Sequence, residues 1–289
     1  MRKQHTSFYS NSDISGCTTT DGTLCINATQ NNLQLSQDHI IASCQFTAIS
    51  SSVPKGGVIY LHSDGYSDST SLTIINSLFQ LCNTTLPYVL QDGGGAIYVD
   101  CGSLCVISCT FLSCSTHSYG GAIYAQTHCR SCSASDCMFI SCISRIGGGL
   151  MTLYGPSSFA SSSCFIACVA EWSGGGLYHD SQSTSTSAAV TNLLFTRNRA
   201  DYKYEYQRNN RGGGAFEDFT SAAYTSTYCF SFFIQNKATY GVGHDISIVS
   251  HAFVHSPFTQ CFTTTSSNSV WNRGYAGYES WLPLTNINY

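Results

Sequence analysis

Short runs of alternating apolar and polar residues, closed by Ser-, Asn- and Gly-rich turns, recur along this chain. Residues 71–79 read Ser-Leu-Thr-Ile-Ile-Asn-Ser-Leu-Phe, and residues 187–195 read Ser-Ala-Ala-Val-Thr-Asn-Leu-Leu-Phe. These runs favour strands, and the first has no apolar spacing that could build a helix face. Two motifs punctuate them. In one, a Phe stands three residues before Cys or Asn: Phe79 and Cys82, Phe111 and Cys114, Phe139 and Cys142, Phe165 and Cys168, Phe195 and Asn198, Phe233 and Asn236. In the other, paired glycines lead into small and apolar residues: Gly56-Gly57-Val58-Ile59-Tyr60, Gly94-Gly95-Ala96-Ile97-Tyr98, Gly120-Gly121-Ala122-Ile123-Tyr124, Gly148-Gly149-Leu150, Gly175-Gly176-Leu177-Tyr178 and Gly213-Gly214-Ala215-Phe216. From Phe46 to Phe233 the Phe positions fall 26 to 38 residues apart. Self-similarity of that period means stacked supersecondary units. With no leucine-rich template and no paired helices, the prediction is an all-β, single-stranded, right-handed parallel β-helix of about seven coils. It spans 41–255, with irregular caps at 1–40 and 256–289 covering the apolar surface and strand edges of the end coils.

In such a fold repeated positions become columns. Phe46, Phe79, Phe111, Phe139, Phe165, Phe195 and Phe233 are predicted to stack inward. The glycines mark a corner where positive φ or close backbone approach excludes a Cβ. After the corner, Ile59, Ile97, Ile123, Met151, Tyr178 and Phe216 are aligned as an inward column. Tyr60, Tyr98, Tyr124, Thr152, His179 and Glu217 then face outward. The place three after Phe holds Cys82, Cys114, Cys142 and Cys168, then Asn198 and Asn236. Cys and Asn share modest size and the ability to hydrogen-bond nearby backbone, which suits an inward turn with a peptide group to satisfy. Asn cannot form a disulfide, so this column needs no crosslinks. Cys101 and Cys129 also align, ten residues before Phe, as do Cys109 and Cys137, two before it. The spacing between coils leaves vertical disulfides Cys101–Cys129 and Cys109–Cys137 open in an exported protein.

The GGAIY copies at 94–98 and 120–124 and the Phe-x-x-Asn copies at 195–198 and 233–236 resemble the polymorphic-membrane-protein repeat family, defined by GGAI and FxxN motifs. That family includes chlamydial autotransporter passengers and surface proteins of trichomonad protists, and the Cys-x-Phe-x-x-Cys variant here is closer in style to the protist branch. The resemblance covers roughly residues 40–250. It implies a right-handed β-helix and a surface role in adhesion or host contact, and it carries over no catalytic residues.

Charge narrows the function classes. Charged residues are 10% of the chain, against roughly 25% in ordinary globular proteins. The net charge of −4 offers no basic surface for nucleic acid. No run of 18 apolar residues predicts a membrane span, and no apolar segment follows the basic start as a signal peptide would require. Sixteen cysteines point towards an oxidising compartment, as do sequons at Asn27 and Asn83. The expected location is therefore the cell surface or the exterior.

Parallel β-helices also host polysaccharide lyases and glycoside hydrolases, the alternative reading here. Such chemistry needs paired carboxylates, and Asp180 with Asp218 and His179 with Glu217 fall on successive coils. The zinc-like spacing of Cys129 and Cys132 is undercut by Cys137 and Cys142, already placed in columns facing different ways. No metal or cofactor is expected. For binding, the outward Tyr60, Tyr98 and Tyr124 would offer an aromatic strip to a host-cell or glycan surface. The Tyr-rich insertion at Tyr202, Tyr204 and Tyr206 is a second exposed candidate.

Overall fold

Runs of three to five β-forming residues are too short to stand alone. In the computed structural model each pairs in parallel with the equivalent run one repeat away. The structure describes residues 38–239 except 52–55, 63–70, 86–92, 154–157, 182–186, 202–212 and 220–224, together with flanking strands at 6–10, 13–15, 18–19, 24–27, 246–250, 258–264, 270–274 and 279–281. Side chains are described for most of residues 40–239. The fold is a β-solenoid, and no helix occurs among the described residues.

Each full coil carries four short strand segments. After the glycine corner comes a first segment, such as Ile59–His62, Leu150–Leu153 or Leu177–Ser181. A second follows, such as Ser71–Ile75, with Leu72 and Ile74 turned inward. In Ile97–Ile107 and Ile123–Ser135 these two run together as one long strand. The third segment is centred on Phe, as in Leu78–Gln80, Thr110–Leu112 and Met138–Ile140. The fourth leads back to the corner, as in Ile143–Ile146 and Val169–Ser173.

The Phe column is the axis of the core. In register it reads Ile14, Phe46, Phe79, Phe111, Phe139, Phe165, Phe195, Phe233, Thr264. That is nine levels against the seven coils the repeat count predicts. The extra ones come from segments expected to be irregular caps. Strands Thr6–Ser10 and Leu24–Asn27 pair in parallel with Asp38–Ala42 and Ile59–His62, and Ile246–Ser250 pairs with Val270–Gly274. Only then does the pattern change, where Val270–Gly274 pairs antiparallel with Glu279–Trp281. The seven Phe rings are fully buried or nearly so. Neighbouring rings stack at 4.7 to 4.9 Å between centroids, within 14° of parallel.

Two devices turn the chain without helix or proline. At the glycine corner the two residues act for different reasons. Gly94 has φ of +70°. A Cβ on its neighbour Gly95 would lie 2.1 Å from the carbonyl oxygen of Gly121 in the next coil, so the stacked corners leave room for hydrogen alone. The second device brackets the Phe segments from Phe46 to Phe195 and closes that of Phe233, which continues directly from the strand Thr225–Ile234. Ser43, Asn76, Ser108, Asp136, Ser162 and Asn192 precede these segments, and Ala48, Leu81, Ser113, Ser141, Ala167, Arg197 and Gln235 follow them. All thirteen hold φ between +49° and +56°. Left-handed backbone costs a side-chain-bearing residue about 1–2 kcal/mol, and here the ladder bonds on either side hold it. Ser113 N–H reaches Ile140 O at 2.8 Å, and Ala167 N–H reaches Thr196 O at 2.9 Å.

Candidate functional surface

The cysteines three places after Phe are structural. Cys82, Cys114, Cys142 and Cys168 are fully buried, and each thiol donates to a Phe carbonyl of the preceding coil. The acceptors are Phe46 O (3.4 Å), Phe79 O (3.4 Å), Phe111 O (3.5 Å) and Phe139 O (3.4 Å). Asn198 Nδ2 makes the same bond to Phe165 O at 2.9 Å, and Asn236 Nδ2 to Phe195 O at 3.0 Å. The amide adds an acceptor: Asn198 Oδ1 takes the Cys168 N–H at 2.9 Å, and Asn236 Oδ1 takes the Asn198 N–H at 3.0 Å. A side chain on one coil thus serves the turn of the coil before it, which is why Cys and Asn interchange there. Ile49 fills the same place at the Phe46 level. Burial pushes the Cys114, Cys142 and Cys168 thiols well above their ordinary range, so they stay protonated donors.

A second column works alike. Cys44 N–H bonds to Ser77 Oγ, Ser77 N–H to Cys109 Sγ, and Cys137 N–H to Ser163 Oγ. Burial drives Cys109 to about 11 and Cys137 to about 12. Both are free thiols, donating to Ile107 O and Ser135 O. The Cys109–Cys137 disulfide that the coil spacing leaves open is thus not formed. The Cys101–Cys129 pair fails on register. A bulge sets Cys101 opposite His128 and Cys129 opposite Gly102, and Cys129 is buried, its thiol donating to Ser131 O at 3.1 Å.

The tyrosine column does not form an outer strip. Tyr98 and Tyr124 are 0% exposed and Tyr60 is half-buried. With Met151 and Tyr178 they form a second apolar cluster, packed against Tyr119 and Ile146 from the stretch before the corner. Successive rings meet edge to face, Tyr60 to Tyr98 at 5.3 Å and Tyr98 to Tyr124 at 5.2 Å. Tyr98 Oη donates to Gln126 Oε1.

The same region corrects the column alignment. In register, Ile123 pairs with Leu150, Tyr124 with Met151 and Ala125 with Thr152, and then Leu150 with Leu177 and Thr152 with His179. Gly147 and Gly174, with φ of +68° and +65°, take the part of Gly94. The three-glycine corners therefore begin one residue earlier than the pair alignment places them. A one-residue slip exchanges faces, so Met151 and Tyr178 join the tyrosines, and Thr152 and His179 turn into the main core. His179 is buried, its Nδ1 2.5 Å from Thr152 Oγ1. Desolvation lowers its pKa to about 4. A neutral imidazole inside the solenoid reaches no polymer substrate.

The remaining catalytic candidates sit side by side in the strand register, His179 with Glu217 and Asp180 with Asp218. On its other side Asp180 is opposed by Leu153. The side chains of Glu217 and Asp218 lie outside those described, as do that of Asn27 and the whole of Tyr202, Tyr204 and Tyr206. Asn83 is half-buried, its Oδ1 accepting from Ser50 Oγ at 2.8 Å.

Three surface features carry no repeat signal that would single them out in the sequence. His128 Nδ1 lies 3.5 Å from Asp100 Oδ1. Arg145 stacks over Trp172 at 3.8 Å. The third is larger: the outer face of the Phe sheet carries exposed apolar side chains, with Gln45, Thr47, Gln80, Thr110 and Thr196 among them. Met138 is 40% exposed, Phe232 54% and Ile234 37%, with Leu81 at 49% on the turn beside it and Ile143 at 50% at the start of the fourth strand segment. Between Met138 and Phe232 the same outward column holds Cys164 and Leu194, both partly exposed. Alternation accounts for it, since inward Phe forces both neighbours in each three-residue segment outward.

Compared with known protein families, curated proteins and solved structures, the chain matches none. Among the described residues, no helix is long and apolar enough to cross a membrane.

Proposed function

We propose that this chain is a non-enzymatic interaction protein, adhesin-like, acting at a cell surface or after secretion on host-cell or glycan material. The observation that carries the reading is the set of exposed apolar side chains on the outer face of the Phe sheet, with Met138, Phe232 and Ile234 held on a rigid parallel ladder. Exposed apolar surface of this kind marks contact sites, and a solenoid presents it along an extended face. Placement at the surface is supported by the likeness of the GGAIY and Phe-x-x-Asn repeats to the polymorphic-membrane-protein repeats and by the Asn83 sequon. The buried cysteines described here lend it no support, because their thiols have turn-building roles. The lyase or hydrolase alternative is weakened by the placement of His179 in the core.

The test is binding of the purified protein to intact cells and to a glycan array, beside a Met138→Glu variant. Saturable binding without turnover, lost in the variant, is expected. Glycan cleavage that survives Met138→Glu and disappears in Asp180→Ala would replace the proposal with the enzymatic reading.

A further inference from the structure

Where the first strand segment runs into the second, the chain gathers residues that are neither core nor turn. Asp100 follows Tyr98 and Val99 there, and its Oδ1 lies 3.5 Å from Nδ1 of exposed His128 in the next coil. That is too long for a good N–H···O hydrogen bond, ~2.7–3.2 Å, and a surface ion pair of this kind contributes little. It matches an edge of a coordination tetrahedron instead: two ligand atoms each ~2.1 Å from a shared ion stand ~3.4 Å apart.

Strand register places two more ligand types beside this pair. Val99 pairs with Leu61 in the coil before, and one residue further along each strand stand Asp100 and His62. On the other side a register shift after Val99 gives the strand Ile123–Ser135 one extra residue and sets His128 opposite Cys101. Without the shift His128 would stand opposite Gly102. Bulges re-aim side chains in this way. His62, Asp100, Cys101 and His128 are thus brought together on three successive coils. The side chains of His62 and Cys101 lie outside those described, and backbone register gives their place. Among the described residues no group of three or more metal-ligating side chains forms, so the shell needs both.

We propose that these four residues bind one zinc ion. Two imidazoles, a carboxylate and a thiolate are ligand types of a tetrahedral zinc site, whereas magnesium and calcium take oxygen ligands. Cys101 gives up its proton as the ion binds. The aspartate and the thiolate then balance the dication, and the shell is neutral. Four protein ligands leave no position for water or substrate, so the ion is structural. It clips three coils together where the bulge interrupts the ladder between two of them.

The full chain, reduced and stripped with a chelator, is titrated with zinc by calorimetry and with cobalt(II) by absorption. One ion per chain is expected, with a zinc dissociation constant of ~1 μM or below. The cobalt form should show the visible bands of a tetrahedral ion and a near-ultraviolet thiolate-to-cobalt band. That spectrum reads the ligand set in the parent chain, whatever the folding of any variant. Asp100→Asn, His128→Gln and His62→Gln should each weaken zinc binding by about tenfold or more, and Cys101→Ser should in addition abolish the near-ultraviolet band. Circular dichroism of each metal-free variant is expected to match the parent chain. No binding up to ~100 μM zinc overturns the proposal. So does binding indifferent to Asp100→Asn and His128→Gln, which would place the ion among the other histidines and cysteines. Binding that needs those two residues but ignores His62→Gln and Cys101→Ser, with no near-ultraviolet band, overturns the closed four-ligand shell and the structural role with it.

Discussion

Asn198 is where the turn-building logic can be tested most sharply. Its Oδ1 accepts the Cys168 N–H, and its Nδ2 donates to Phe165 O and to Asn236 Oδ1, all within 3.0 Å and fully buried. Asn198→Ala removes these bonds and leaves the Cys168 N–H without its acceptor. A buried donor left unpaired costs about 1–3 kcal/mol, and each lost bond about 1 kcal/mol, so a loss of about 3–4 kcal/mol is expected. Asn198→Cys should behave differently. A thiol can donate to Phe165 O as Cys168 does to Phe139 O, and a sulfur can accept an N–H as Cys109 does from Ser77. The expected loss is only about 1 kcal/mol, since the thiol is the weaker partner. Urea unfolding followed by circular dichroism reads both, as a change in midpoint at constant slope. If Ala and Cys are equally destabilising, or if Ala costs under about 1 kcal/mol, the hydrogen-bond account of the Cys/Asn column is wrong and the position is merely filled space.

Other consequences are as direct. Phe139→Ala in the middle of the stack should cost about 3–5 kcal/mol by the same unfolding assay, because both faces of the cavity are flat rings at fixed spacing. Native alkylation at pH 9 should leave Cys109 and Cys137 unmodified, since burial drives them to about 11 and about 12; modification as fast as at Cys105 would contradict their placement. His179 contributes stability that is fully present above its unfolded pKa near 6.5, where it is neutral in both states, and is lost as pH falls towards about 4 in the fold. At ~1.4 kcal/mol per pH unit, that loss approaches about 3 kcal/mol, and urea midpoints at pH 7 and pH 4.5 should diverge less in His179→Leu than in the parent chain.

The parts of this fold that could be read from residue order are those whose cause is local. Phe three before Cys or Asn marks a strand, a turn and an inward column, and the structure keeps all three. The exchange of Cys for Asn pointed to peptide groups in the turn, and those groups are the Phe carbonyl and the N–H of the preceding coil. The glycine corners were legible as corners but ambiguous in phase. In Gly147-Gly148-Gly149 every pair looks alike, and only the positive φ at Gly147 tells which glycine opens the turn. The slip carried His179 and Thr152 to the wrong face. The tyrosines failed for another reason: alternation assigned them correctly to the far side of their strand, but Tyr119 and Ile146 cover that side from the neighbouring turn. The left-handed positions at Leu81 and Arg197 left no trace, because neither residue type favours that backbone.

The direction of the side-chain bonds has a bearing on how the chain is made. Asn198 closes the turn at Cys168, Asn236 closes the turn at Asn198, and Cys142 donates back to Phe111. In each case the later residue completes the earlier coil. A chain emerging from the ribosome therefore always carries one unfinished turn at its growing end, sealed only when the next repeat is synthesised. Truncation is therefore asymmetric: a release after residue 168 would strand the Cys168 N–H, whereas loss of early repeats would leave every later turn already closed by its own successor.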